Sequence, residues 1–242
     1  MNLQELREKQ VVVINVGMST ANGIPSPLFK DGTFRFVPIR ERKASERTPT
    51  YRDLGLSDWV PDPDDYAHND PEFETMTFGD YEGKIRVANA SKLGPGDFLF
   101  FFAALSTELD RRRRKSTGFF FIGYFEIDGI IPFEEAKSSR QTANNAHLKR
   151  RRDSGFSVWK GTNRSTMLRY AVPLNKSSAN LCLRTSKGMK LPWGKTDVGG
   201  RQRSELQVVN SATRASRLIL PQYREAFWKT VIERNPSVPI LE

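Results

Sequence analysis

The densest apolar stretch of the chain, FLFFFAAL over residues 98–105, follows Gly94, Pro95, Gly96 and Asp97, a tight-turn signal, and predicts a central strand. GFFFIGYFEIDG predicts a second aromatic strand, and the basic segment Arg111 to Lys115 between the two predicts a hairpin with a cationic tip. VVVINV at residues 11–16 has the pattern of a buried strand, while TFRFVPI at 33–39 alternates toward a strand that Pro38 assigns to an edge or an end. Residues 40–70 are polar and rich in Pro and Asp, so surface loops are expected there, anchored by Tyr51 and Trp59. GFSVWKG and LRYAVPL predict further strands, and about half of 132–152 has helical composition. The clearest helix is PQYREAFWKTVIER, residues 221–234: Pro221 suits the first helical position, and Tyr223, Phe227 and Val231 recur at a four-residue spacing that predicts a packed face. There is no internal repeat, and Ser186 to Glu205 reads as a Gly- and Lys-rich loop.

These elements fit one α+β domain over residues 1–242. The longest apolar run is far below the ~18 residues a membrane helix needs, and MNLQELREKQ lacks the apolar core of a signal peptide. A soluble, cytoplasmic chain with no membrane partner is therefore expected. The single cysteine, Cys182, excludes an internal disulfide and a cysteine-rich zinc site.

Charge changes the picture. Residues 1–110 carry a net −6 and residues 111–242 a net +16. The basic half holds Arg111, Arg112, Arg113 and Arg114, then Lys149, Arg150, Arg151 and Arg152, and a looser run from Lys187 to Arg203. Clustered cations of this kind neutralise phosphates and release counterions, so nucleic acid is the expected partner and the first two clusters are the candidate phosphate contacts.

The stretch YAHNDPEFETMTFGD, residues 66–80, places one of only two histidines among carboxylates. His68 with Asp70 offers two metal ligands where zinc or iron needs three or four, and His147 is distant in sequence, so neither a resident metal nor another cofactor is expected. Three readings stay open. Asp70, Glu72, Glu74 and Asp80 supply carboxylates for acid–base work, with His68 and Asp70 as the catalytic candidates. Asp70-Pro71 otherwise opens a short capped helical turn with Phe73 and Phe78 packed inward. In the third reading the stretch walls a pocket, where His68 and Asp70 bond a base edge and Phe78 or Tyr51 covers its face, as suits a flipped base. Asn145 and His147, with Lys160 and Ser165, would close such a pocket from the other side. Asp128 with Glu135 and Lys137 is a nuclease-like combination that also arises by chance.

The Gly-Asp turn before GDFLFFFA, followed by FFFIGYFEID, resembles the barrel core of PUA-like domains, including the EVE, ASCH and YTH groups. More closely, SPLFKDGTFRFVPIRE, TYRDL, HNDPEFETMTFGD, FIGYFEI and NAHLKR resemble the third type of nucleotide-modification-associated domain. Those segments lie between Ser26 and Arg150 and continue more weakly to about Leu174; the expected organisation is a PUA-like core over about 10–175, followed by a basic segment and closing helix over about 176–235. The resemblance implies an association with modified bases, in DNA. Arg40 stands where a second proline is expected. The expected function is binding or processing of modified bases through a pocket and a phosphate-gripping surface. The alternative is an enzyme of base modification, or a metal-dependent nuclease built on the Asp/Glu/His cluster.

Overall fold

The computed structural model describes residues 3–16, 25–110, 117–150, 154–174 and 216–236. In chain order the principal elements are α1 (Leu3–Glu8), β1 (Val11–Asn15), β2 (Ser26–Pro27), β3 (Ile39–Arg40), β4 (Ala67–His68), β5 (Thr77–Tyr81), β6 (Phe98–Ser106) and β7 (Gly118–Pro132). They continue with α2 (Phe133–Ser138), β8 (Phe156–Gly161), β9 (Thr166–Leu174), β10 (Arg217–Ile219) and α3 (Pro221–Arg234).

β6 is buried at every position because both of its faces are covered, which explains why its sequence is a continuous apolar run without alternation. Phe98, Phe100 and Phe102 face one layer, where Phe227, Trp228 and Val231 of α3 pack against them. Leu99, Phe101 and Leu105 face a second layer containing Phe78, Phe125 and Trp159. The turn predicted before β6 is held by Asp97, whose carboxylate accepts the Gly94 N–H at 2.8 Å and the Gln10 N–H at 2.7 Å. This joins the start of β6 to the start of β1, which pair in parallel from Val11↔Phe98 to Asn15↔Phe102.

The main sheet runs β10-β1-β6-β7-β8-β5, with β2 also on β6 and β9 also on β7. β7 is long enough to belong to two neighbourhoods. Its first part pairs with β6 and β9, and after a register shift between Ile127 and Gly129 its last part pairs with β8. Among the described residues this path is open, ending at β10 and β5, so the mixed α+β class is present and the PUA-like barrel closure is not seen. β3 and β4 form a separate two-stranded pair, Ile39↔His68 and Arg40↔Ala67.

Several local expectations change. Of the strand expected over 33–39, only Ile39 with Arg40 is regular, and the rest makes single bridges such as Leu28↔Phe34. The helical turn expected after Asp70 is a tight turn over 73–76 closed by the Glu72↔Thr77 bridge, because Glu72 accepts the backbone N–H groups of Glu74 and Thr75. The β6–β7 hairpin is antiparallel as expected; its tip, Arg111 to Lys115, lies outside the described residues. So do Arg151, Arg152, Cys182 and the Lys187 to Arg203 run. No helix among the described residues is long and apolar enough to cross a membrane.

Candidate functional site

The pairing of β3 with β4 sets His68 beside Ile39 and leaves Glu41 one residue past the strand. Two residues beyond His68, Asp70 is turned under β5, where the Gly79 N–H donates to its Oδ1 at 3.0 Å and to its Oδ2 at 3.2 Å. From the opposite side Asn145 caps a short 3-10 turn over Ala146–Lys149, its Oδ1 accepting the His147 N–H at 3.0 Å. The Asn145 amide also reaches Asp70 Oδ1 at 3.4 Å. Gly79 makes this convergence sterically feasible: a Cβ there would lie 2.6 Å from Asn145 Oδ1 and 2.7 Å from His147 Cδ2.

The result is a ring of polar side chains. Glu41 Oε2 lies 2.9 Å from His68 Nδ1. His68 Nε2 is 3.8 Å from Asp70 Oδ2, and His147 Nε2 is 3.8 Å from the same oxygen. His147 Nδ1 is 3.2 Å from Arg150 Nη1, and Arg150 Nε donates back to Glu41 Oε2 at 2.6 Å. The contacts on the Glu41–Arg150 side are tight. The two at Asp70 are too long for hydrogen bonds, so the circuit is open where Asp70 faces both imidazoles.

That opening lies on a cavity of about 160 Å³ lined by Val16, Ile39, His68, Asp70, Asp80, Tyr81, Arg86, His147 and Arg150. Arg86 Nε pairs with Asp80 Oδ2 at 2.6 Å while its side chain remains half exposed, so the outer wall carries a solvent-facing guanidinium. Tyr81 stands edge-on to His147 with centroids 5.3 Å apart.

Burial sets the protonation states. It pushes the His68 imidazole down to about 4; the Glu41 carboxylate opposes the shift, and the positive charge of Arg150 adds to it. Burial also pushes the Asp70 carboxyl well above its usual range, against the Gly79 N–H that favours the anion. Glu41 goes the other way: burial alone would raise it, but its contacts with His68, Arg150 and the Lys43 N–H outweigh that and hold it at about 2. Glu41 is thus a fixed anion, beside a neutral His68 and a carboxyl that resists ionisation.

Of the residues expected at a base pocket, His68, Asp70, Asn145 and His147 come together. Phe78 does not line the cavity: it is packed in the core between Phe101 and Trp159. Tyr51 packs in a satellite cluster with Val37 and Leu56 and donates its hydroxyl to Pro38 O at 3.0 Å. Lys160 reaches the Thr75 carbonyl at 2.5 Å, and Ser165 accepts the Glu126 N–H at 3.1 Å, both away from the cavity. Lys149 is half-buried, with its carbonyl accepting from Ser45 and Thr48, while Arg150 faces inward. Asp128, Glu135 and Lys137 are exposed, and Lys137 pairs with Glu134. Sequence reasoning missed Glu41, Tyr81 and Arg86. Glu41 had one signal, its place in the VPIRE segment; Arg86 had none.

His68, Asp70 and His147 are also the group of described residues whose ligand atoms lie within 4.8 Å of one another, as a bound metal would require. No curated protein and no solved structure matches the chain. The model of one family, nucleotide modification associated domain 3, matches residues 10–215. With most of its length covered, including the segments that build the polar circuit, the chain belongs to the nucleotide modification associated domain 3 family.

Proposed function

We propose that the cavity receives a modified nucleobase of DNA and that the basic half of the chain holds the backbone around it. The observation that carries this reading is the convergence of both histidines with Asp70 on one cavity, in a member of a family tied to nucleotide modification. An engineered cavity of ~150 Å³ takes up benzene, so a cavity of about 160 Å³ has room for one six-membered ring with hydrogen-bonding groups around it. The sugar and phosphate then stay outside, where Arg86 presents its exposed guanidinium. Such a division matches extrusion of a base from the stack.

A second reading, an enzyme acting on the same base, is favoured by the opposed environments of His68 and Asp70. A buried neutral imidazole beside a carboxyl that resists ionisation supplies a proton acceptor and a proton donor within 3.8 Å.

The test is a titration of duplexes differing only in the modified base, with mass spectrometry of the nucleosides after incubation. Preference for the modified duplex with unchanged nucleosides supports recognition, and a changed nucleoside supports processing. Equal affinity with no turnover would sink both.

A further inference from the structure

We infer that His68 Nε2, Asp70 Oδ2 and His147 Nε2 form a binding site for one divalent first-row transition ion, with its remaining coordination positions open to the cavity. This goes beyond the base-pocket reading and against the expectation from spacing, which counted only two ligands in the chain segment around His68.

The geometry supports it. The Nε2 atoms of the two histidines are each 3.8 Å from Asp70 Oδ2, and one ligand atom from each of the three residues lies within 4.8 Å of the others. Three atoms within 4.8 Å of one another all lie within about 2.8 Å of a common point, so an inward movement of roughly half an ångström or a little more reaches the ~2.0–2.2 Å bonds of nitrogen and carboxylate ligands. The side chains are pre-placed: relative exposures are 8% for His68, 1% for Asp70 and 3% for His147. Asp70 is fixed by the Gly79 N–H and the Asn145 amide. Glu41 stands 2.9 Å behind His68 at Nδ1, the position from which a carboxylate orients a ligating imidazole.

Two imidazoles and one carboxylate with open positions suit iron(II), cobalt(II) or zinc(II) better than magnesium or calcium, which prefer all-oxygen shells. Ligation also has a structural consequence at His147. Binding through Nε2 leaves the ring proton on Nδ1, so Arg150 Nη1, now 3.2 Å from that atom, must withdraw while its Nε remains on Glu41.

The test uses tag-free full-length protein stripped with chelator and titrated with Zn²⁺, read by imidazole nitrogen NMR. Since the chain has only two histidines, both spectra are assignable without variants. Both Nε2 signals should convert to the bound position in a single 1:1 step with the proton on Nδ1. Dialysis against Zn²⁺, or Fe²⁺ without oxygen, should retain one equivalent by elemental analysis, and Glu41→Gln should weaken uptake by ~10–100-fold, the scale for a residue behind a ligand. Retention of no metal, or response of only one histidine, would overturn the site. So would unchanged uptake by a folded His68→Gln/His147→Gln variant; if that variant does not fold, the wild-type spectra decide alone. No nucleic acid is present, so failure here leaves the base-pocket reading standing, and failure of duplex discrimination leaves the metal site standing.

Discussion

His68 and His147, brought together from distant parts of the chain, meet edge to face with ring centroids 5.1 Å apart and planes at 74°. Asp70 Oδ2 stands 3.8 Å from each, and Gly79 supplies both the N–H that fixes Asp70 and the empty volume that admits His147. The site is therefore one packing unit, and its parts should fail together.

Gly79→Ala tests that unity. The added methyl would meet Asn145 Oδ1 at 2.6 Å and His147 Cδ2 at 2.7 Å, and both are confined by burial. Overpacking of this kind costs about 1–3 kcal/mol. Thermal melting should show the loss, and the imidazole NMR signals of both histidines should move even though neither was changed. Wild-type stability with unmoved signals would overturn the close approach of Asn145 and His147 to Gly79.

His68→Ala and Asp70→Ala should reduce the preference for a modified over an unmodified duplex by about 1–3 kcal/mol, the scale of one good base contact. Nonspecific affinity should change little, since base contacts specify and phosphate contacts position. Binding titrations on both duplexes, with circular dichroism to confirm folding, give the answer. Retention of the wild-type ratio by both folded variants would make this stretch structural.

Replacing Arg111, Arg112, Arg113 and Arg114 together by Ala should flatten the slope of log affinity against log salt by ~3 to 4 units if all four contact phosphates of B-DNA. Discrimination between modified and unmodified duplexes should persist. An unchanged slope would mean that this cluster faces solvent only.

In metal-free protein the His68 imidazole should titrate near pH 4 instead of 6.5, because burial disfavours its charged form and nearby Arg150 adds to the cost. Arg150→Met should raise that value by removing the positive charge, and imidazole NMR across pH 3–8 measures both. The linked stability has a definite sign. Between 6.5 and about 4 the unfolded chain takes up a proton that folded His68 refuses, so the His68 contribution is lost as pH falls through that window. Asp70, whose carboxyl is raised by burial, contributes with the opposite sign.

Much of the scaffold was legible because burial leaves a local signature. VVVIN, FLFFFAALS and FSVWKG became strands as their apolar density predicted, and Pro221–Arg234 became a helix with its Phe227 and Val231 face buried. The single strand expected over 33–39 failed because its alternation is short and its partners are single bridges. Phe78 was legible as buried but not as packed away from the cavity, since its neighbours Phe101 and Trp159 come from other strands.

By itself, then, the sequence determined which segments are core, that the second half is strongly basic, and that the chain resembles the family it belongs to. The tertiary structure decided that His68, Asp70 and His147 share one opening, that Glu41 and Arg150 stand behind them, that Tyr51 and Phe78 pack elsewhere, and that Lys160 and Ser165 hydrogen-bond backbone away from the cavity. The reason is one of range. Apolar periodicity is written into neighbouring residues, whereas this site depends on the pairing of Ile39 with His68 and on a missing side chain at Gly79, neither of which has a signature along the chain.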